Sequence, residues 1–206
     1  MDLQFFGANC ITLGYKGRRL VIDDTLKSLG GKSVTKADDV CLFTQRNESS
    51  KLPNLILDGP GEYEVSDISI IGLAARAHID ESGTNATMFK MVAGDISVLV
   101  TGHIYPELND AQLEAIGTID VLIVPVGGNG YTVDPVGALR LIKDIEPKLV
   151  IPTHYDDPTL HFPVPQQTLA QALKELGMEP KEAVTKLRLK ASDISEVTQL
   201  QVLEKA

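Results

Sequence analysis

Hydrophobic residues in the first half of the chain fall in short runs separated by turn signals such as Tyr15-Lys16-Gly17 and Gly59-Pro60-Gly61. Runs of this length bounded by Gly, Pro, Asn and Asp indicate β-strands, and their close succession predicts an antiparallel meander. The same pattern is also compatible with a plain β-sandwich. The segment Glu62–Glu64 is assigned to a turn. The predicted strands are Leu3–Phe6, Ile11–Tyr15, Arg19–Asp23, Val40–Thr44, Leu55–Leu57, Ile68–Leu73, Met88–Val92 and Ile96–Val100.

The second half of the chain alternates helix and strand signals. Asn109 and Asp134 are N-cap residues, the first in a capping-box pattern with Gln112 and the second followed by a proline. Buried strands that alternate with helices predict a sheet covered by helices, and no low-complexity linker divides the chain, so we predict a single domain over residues 1–206. The predicted helices span residues 109–117, 134–147 and about 165–176, and the strands are Asp120–Val126, Leu149–Ile151, Lys186–Leu189 and Gln199–Leu203.

Composition narrows the classes of partner. The chain has 206 residues, no Trp and a formal charge of -9, a balance that argues against a nucleic-acid or anionic-membrane surface. Cys10 and Cys41 lie in apolar runs typical of buried free thiols. The first ten residues lack the basic and apolar segments of a signal peptide, and no apolar stretch approaches the ~18–20 residues that span a bilayer. We therefore predict a reduced cytoplasmic protein without nucleic-acid or membrane partners.

The segment "GGKS", Gly30 to Ser33, is similar to the end of a phosphate-binding P-loop. That motif requires a glycine five residues before Gly31, where this chain has Leu26. The residues after Ser33 do not predict a helix whose N-terminus could bind phosphate. The sequence therefore argues against a nucleotide site here.

Three of the four histidines, His78, His103 and His154, directly follow predicted strands. A single histidine in this position is more commonly structural, but strand ends of one sheet can converge on one pocket. Three imidazoles suffice for a catalytic zinc with an open fourth position. The loop from Gly127 to Tyr131 follows a buried strand and is a second candidate for lining a ligand site. His161 is predicted to be a surface or packing residue.

The loop "FTQRNESS", residues 43–50, follows a predicted buried strand, a position where enzymes place metal ligands. Its side chains are amides, hydroxyls, a guanidinium and one carboxylate, Glu48. Only Glu48 is a good zinc ligand, so the loop has the place of a metal site without its donors.

Long stretches of the chain resemble the metallo-β-lactamase-fold hydrolases, in particular the ascorbate-phosphate-lactonase-like branch. The resemblance rests on "LQFFGANCITLGYKGRRLVIDD" (3–24), "GPGEYEVSDISIIGLAARAH" (59–78) and "IDVLIVPVGGNGYTVDPVGALRLIKDIEPKLVIPTHY" (119–155). It implies an α/β fold in four layers, the αββα sandwich of the metallo-β-lactamase type, with a metal site at one edge.

The resemblance also implies which residues would bind metal. The family uses a His-x-His-x-Asp-His loop, a later His, an Asp after a Gly, and a final His. The later and final positions carry His78 and His154, and the Gly-Asp position reads Gly102-His103. None of the four loop positions carries a family ligand: they are occupied by Gln45, Asn47, Ser49 and Ser50.

Three hypotheses follow. The leading one is a degenerate, non-catalytic member with a binding, regulatory or assembly role, without a resident metal and with a small polar ligand. The alternative is a mononuclear hydrolase that holds zinc or a similar divalent ion on His78, His103 and His154, with Glu48 or Glu62 as base. The third is a metal-free hydrolase in which Ser49 or Ser50 is the nucleophile and His103 or His154 the base. Relatives often self-associate, so the resemblance leaves a homo-oligomer open.

Overall fold

The computed structural model describes residues 1–45 and 55–206. Its helices are α1 Asp110–Ile116, α2 Pro135–Ile145 and α3 Leu169–Leu176, with 3-10 helices at Leu26–Leu29 and Ala191–Asp193. Its strands are β1 Asp2–Gly7, β2 Cys10–Tyr15, β3 Arg18–Ile22, β4 Val40–Leu42, β5 Leu55–Leu57, β6 Gly61–Val65, β7 Ile68–Ala75, β8 Ala86–Ala93, β9 Ile96–Val100, β10 Val121–Pro125, β11 Leu149–Thr153, β12 Pro180–Val184, β13 Leu187–Arg188 and β14 Gln199–Leu203.

The described strands form two mixed sheets that pack face to face. The first sheet has the order β13-β1-β2-β3-β4-β5 and the second the order β12-β14-β11-β10-β9-β8-β7-β6. Their inner faces bury Phe5, Leu13, Phe89 and Ile123 in one core. Burial alternates along several of these strands because every second side chain of a strand points to the same face.

The outer faces of the sheets carry the remaining layers. The helices cover the second sheet, burying Leu141 of α2 and Leu176 of α3 against it. On the first sheet, the 3-10 helix Leu26–Leu29 packs with Phe43 and Leu160. The predicted αββα sandwich is confirmed, and in the described ranges its fourth layer consists of a 3-10 helix and loops.

Two expectations about the strands were wrong. β4 and β5 run parallel to β3 rather than continuing an antiparallel meander. The long connection over residues 23–39 allows this, because it returns the chain to the edge at which β3 began. Glu62–Glu64, expected in a turn, belongs to the edge strand β6, which pairs antiparallel with β7.

The helix starts follow the predicted capping chemistry. Asn109 and Gln112 form both hydrogen bonds of a capping box, and Asp134 accepts from the backbone N–H of Gly137. The third helix begins later than expected, at Leu169, because Thr168 and Gln171 form a second capping box. Across residues 1–45 and 55–206, no helix has the length and apolar character required to cross a membrane.

The last residues of the chain complete the first sheet. β13 pairs antiparallel with β1, and the amino group of Met1 donates to the carbonyl of Leu189 at 3.1 Å. The backbone N–H of Ala206 donates to the carbonyl of Phe5 at 2.9 Å. The N-terminal strand is therefore held on one side by residues that lie at the other end of the sequence.

Candidate functional site

Four strands of the second sheet, β7, β9, β10 and β11, end at the same edge. β9, β10 and β11 are mutually parallel, and β7 has the direction of β9 because each is antiparallel to β8. The rings of His103 and His154 therefore meet, with centroids 4.5 Å apart and planes at 83°. The backbone N–H of His78 donates to the carbonyl of His103 at 2.7 Å.

A cavity of about 140 Å³ opens beside the His103 and His154 rings. We call it the histidine cavity. The ring of Tyr131 forms part of the wall and lies edge-on to His103 at 5.4 Å. The other lining residues that matter for its chemistry are Asn9, Asp23, Thr44 and Gln45.

Asp23 is a buried carboxyl group in the wall of the histidine cavity, with 5% of its surface exposed. Its Oδ1 accepts from the backbone N–H of Thr44 at 2.7 Å, and its Oδ2 accepts from the Thr44 hydroxyl at 2.7 Å. Burial raises the pKa of Asp23 from 3.8 to about 6, although both bonds from Thr44 favour the charged form and act in the opposite direction.

Thr44 is held tightly between strands. Its carbonyl accepts from the backbone N–H of Thr87 at 2.8 Å, and its side chain lies against Gly102. Gly102 has φ +61°, and a Cβ there would overlap the Thr44 side chain. Gly102 is thus required both for its backbone conformation and for the close approach of Thr44.

Gln45, the first of the predicted loop positions, forms a bridge with Ala86 and lines the histidine cavity. The remaining loop positions, Asn47, Ser49 and Ser50, together with Glu48, lie outside the described residues. The structure therefore places one of the four predicted loop residues at the cavity.

The hydrogen bonds of His154 define its neutral tautomer. Its Nδ1 lies 3.2 Å from Oε1 of Gln166, whose Nε2 donates to the carbonyl of Val164 at 2.8 Å. Because this orientation makes Oε1 the acceptor, Nδ1 carries the proton and Nε2 does not. Burial lowers the pKa of His154 from 6.5 to about 4, so this neutral form dominates at pH 7.

Replacing Gln166 with leucine tests this assignment. The change leaves a buried Nδ1–H without an acceptor, and we expect it to lower the free energy of unfolding by about 1–3 kcal/mol and to move the proton towards Nε2. Imidazole ¹⁵N chemical shifts report the tautomer directly. Gln166→Glu keeps an acceptor beside Nδ1 and should preserve it. An Nε2–H tautomer in the unsubstituted protein would contradict the assignment.

His103 is also neutral at pH 7. Burial lowers its pKa well below 6.5, and the neighbouring His154 and His78 lower it further by charge repulsion. A hydrogen bond to the backbone of Tyr131 has the opposite but smaller effect.

Residues 2–154 match the family model of the beta-lactamase superfamily domain. The chain belongs to the beta-lactamase superfamily. This agrees with the resemblance drawn from the sequence and with the observed sandwich.

Individual relatives of this superfamily member are metal-dependent hydrolases by name. It is 38% identical over 68 residues to a UPF0173 metal-dependent hydrolase of Salinibacter ruber, covering 33% of this chain and 30% of that one. It is 43% identical over 44 residues to another from Carboxydothermus hydrogenoformans, covering 21% and 19%. The matched parts therefore span less than a third of these relatives.

Solved structures show the likeness over the whole chain. A protein from Thermotoga maritima, assigned as a Zn-dependent hydrolase of the metallo-β-lactamase superfamily, has a TM-score of 0.76 and 25% identity, covering 98% of this chain and 97% of that one. Igni18, a metallo hydrolase from Ignicoccus hospitalis, has a TM-score of 0.62 and 16% identity, covering 99% and 95%, and shows the fold alone.

The donors among the described residues do not by themselves make up a structural or catalytic zinc site. Within residues 1–45 and 55–206, no group of three His, Cys, Asp or Glu side chains is placed to hold a metal. His103 and His154 line the cavity, whereas Nδ1 of His78 lies 3.3 Å from the carbonyl of Ile104. Zinc sites use three or four such donors.

Sequence reasoning missed two residues that shape the site, Asn9 and Gln166. Oδ1 of Asn9 accepts from the hydroxyl of Thr153 at 2.9 Å, while its buried Nδ2 has no protein partner among the described residues. A signal was present for Asn9, because Gly7-Ala8-Asn9 separates two predicted strands and had to form a tight turn. Tyr131 comes from the glycine-rich loop that the sequence did single out.

The residues at the end of the "GGKS" segment and directly after it are hydrogen-bonded to a carboxylate of the same chain, Asp24. The backbone N–H groups of Val34 and Thr35 donate to Oδ2 of Asp24 at 2.8 Å and 2.9 Å, and the hydroxyls of Ser33 and Thr35 donate to the same oxygen. A carboxylate of the chain itself thus occupies amides that could otherwise bind a phosphate, in agreement with the sequence argument against a nucleotide site.

Proposed function

We propose that this superfamily member binds a small polar ligand in the histidine cavity and does not catalyse the hydrolysis for which its relatives are named. The observation that supports the proposal most is the donor set. Two imidazoles and Gln45 line the cavity, where the resemblance places the ligands of a metal centre. Neutral amides and hydroxyls do not replace imidazole and carboxylate ligands of zinc.

The replacement of the family's loop ligands matters because the metal they hold supplies the hydrolytic chemistry of the family. A bound divalent ion lowers the pKa of a water molecule and polarises the scissile group. In this chain Asp23 is hydrogen-bonded to Thr44, and His154 is hydrogen-bonded to Gln166. These bonds hold two polar side chains of the cavity wall in fixed positions, which favours the binding of a ligand.

One observation favours the mononuclear hydrolase as a second candidate. His103 and His154 are neutral and adjacent, and Nε2 of His154 carries a free lone pair. Both are properties of metal-binding imidazoles, whose second nitrogen usually donates to an outer group. This candidate requires His78 to turn away from Ile104. A cytoplasmic location, self-association and the lack of nucleic-acid or membrane partners stay predictions from the sequence.

Metal content and turnover separate the two candidates. After incubation with Zn²⁺ or Mn²⁺ and dialysis, we expect well under one ion per chain by elemental analysis. We expect phosphodiester, lactone and thioester turnover to equal that of the His103→Ala/His154→Ala double variant. One ion per chain, together with turnover that the double variant lacks, would refute the proposal and support the mononuclear hydrolase.

A further inference from the structure

We infer that the histidine cavity selects a small organic cation with N–H donors, that is, a primary ammonium or a guanidinium group. This inference rests on the proposed binding function and names the chemical class of its ligand. It follows from the number and direction of hydrogen-bond acceptors that the described residues present.

The first acceptor is Nε2 of His154. Gln166 takes the proton-bearing Nδ1 as its partner, and Gln166 is itself oriented by the Val164 carbonyl. The ring has 2% of its surface exposed and lines the cavity, so its second nitrogen offers a fixed lone pair. A ligand that approaches this nitrogen has to donate a hydrogen bond.

The second acceptor is the ring of His103, which lines the cavity. This ring is neutral, and a neutral imidazole has one nitrogen that carries a lone pair and can accept a hydrogen bond. The two rings lie edge to face at 4.5 Å. A group with several N–H donors, such as –NH₃⁺, can serve two neighbouring acceptors, whereas a single hydroxyl can serve only one.

The charge of the residues that line the cavity also favours a cationic ligand. Asp23 lines the cavity, and each of its oxygens accepts one bond from Thr44, which leaves further lone pairs. No Lys or Arg is among the described lining residues. Among the described residues, an anionic ligand would meet a carboxylate and two nitrogens with lone pairs and no lining cation, whereas a cation would meet three acceptors.

The size of the cavity limits the ligand to a few heavy atoms. Its volume of about 140 Å³ is below the ~300–1,000 Å³ typical of pockets for drug-sized ligands. Methylammonium and methylguanidinium are suitable probes. Tetramethylammonium has the same charge but no N–H donor, so it separates hydrogen bonding from simple charge attraction.

The experiment titrates the intact protein at pH 7.5 with each probe as its chloride salt, and with sodium acetate and sodium phosphate. Imidazole ¹⁵N resonances of His103 and His154 are the readout. We expect saturable shifts with methylammonium or methylguanidinium and none with tetramethylammonium, acetate or phosphate. Equal response to tetramethylammonium, a response to the anions instead, or no response to any probe would overturn the inference.

Two charge variants sharpen the test. Asp23→Asn removes a carboxylate from the cavity and should weaken binding of methylammonium about tenfold. Asp67→Asn makes the same change in net charge at an exposed pair with Lys16 and should leave binding unchanged. Equal weakening by both variants would contradict the assigned role of Asp23. Zinc at one ion per chain with turnover would refute the proposed function instead, so the two failures are distinguishable.

Discussion

Replacing Gly102 with valine is expected to lower the free energy of unfolding by about 3–5 kcal/mol, a sum of backbone strain and forced overpacking. Gly102 has φ +61°, which a β-branched residue adopts only under strain, and its new Cβ would overlap the Thr44 side chain. Displacing Thr44 also disturbs both hydrogen bonds to Asp23. Urea unfolding followed by circular dichroism measures the loss.

Gly130 provides the matched control. It has φ +73°, but no atom of the described residues lies within 4 Å of the position that a Cβ would take, so valine there adds strain without overlap. We expect Gly130→Val to lower the free energy of unfolding by about 1–3 kcal/mol. Equal losses at the two positions would show that the contact between Gly102 and Thr44 does not matter for stability.

Replacing Asp23 with asparagine is expected to stabilise the protein at pH 7.5 by about 3 kcal/mol, because a shift of about two pKa units corresponds to that free energy. The pKa of Asp23 is raised from 3.8 to about 6. The contribution of a raised carboxyl is complete below pH 3.8 and is lost as the pH rises through 6. Oδ1 of the asparagine can accept from the Thr44 N–H, and its Nδ2 can donate to the Thr44 hydroxyl, so both contacts can be made without the buried charge.

The advantage of Asp23→Asn should therefore disappear as the pH falls from about 6 to about 4. His154 acts in the opposite sense: its pKa is lowered from 6.5 to about 4, so its contribution is present above pH 6.5 and is lost in acid. The variant should show a steeper loss of stability below pH 6.5 than the unsubstituted protein. Denaturant titrations from acid to neutral pH measure both curves, and parallel curves would refute the assignment.

Much of the fold could be predicted because its signals are local. The capping residues Asn109 and Asp134 start helices where expected, and β5, β9 and β14 have the predicted bounds. The direction of β4 and β5 could not be predicted, because the sequence of a three-residue strand does not indicate whether it pairs parallel or antiparallel with its neighbour. That direction depends on how the residues between β3 and β4 cross the outer face of the sheet.

The site was predictable in part for the same reason. His103 and His154 end parallel strands, and strand ends of one sheet converge. His78 also ends a strand, and the bridge between Ala77 and Ile104 holds its backbone beside His103. Its Nδ1 lies 3.3 Å from the carbonyl of Ile104, and His78 is not among the described residues that line the cavity. Asn9 lies in a turn that the sequence indicates, but its contact with Thr153, 144 positions away, is tertiary and could not be predicted from local sequence.

The closure of the first sheet by residues at the far end of the sequence has a consequence for biosynthesis. β1 is translated before its partner β13 and before Lys205 and Ala206, which contact Phe5. One edge of β1 therefore stays unpaired while residues 8–186 are translated. Such an edge is a template for intermolecular pairing, so the newly made chain is most exposed to aggregation before β13 and the residues after it are added.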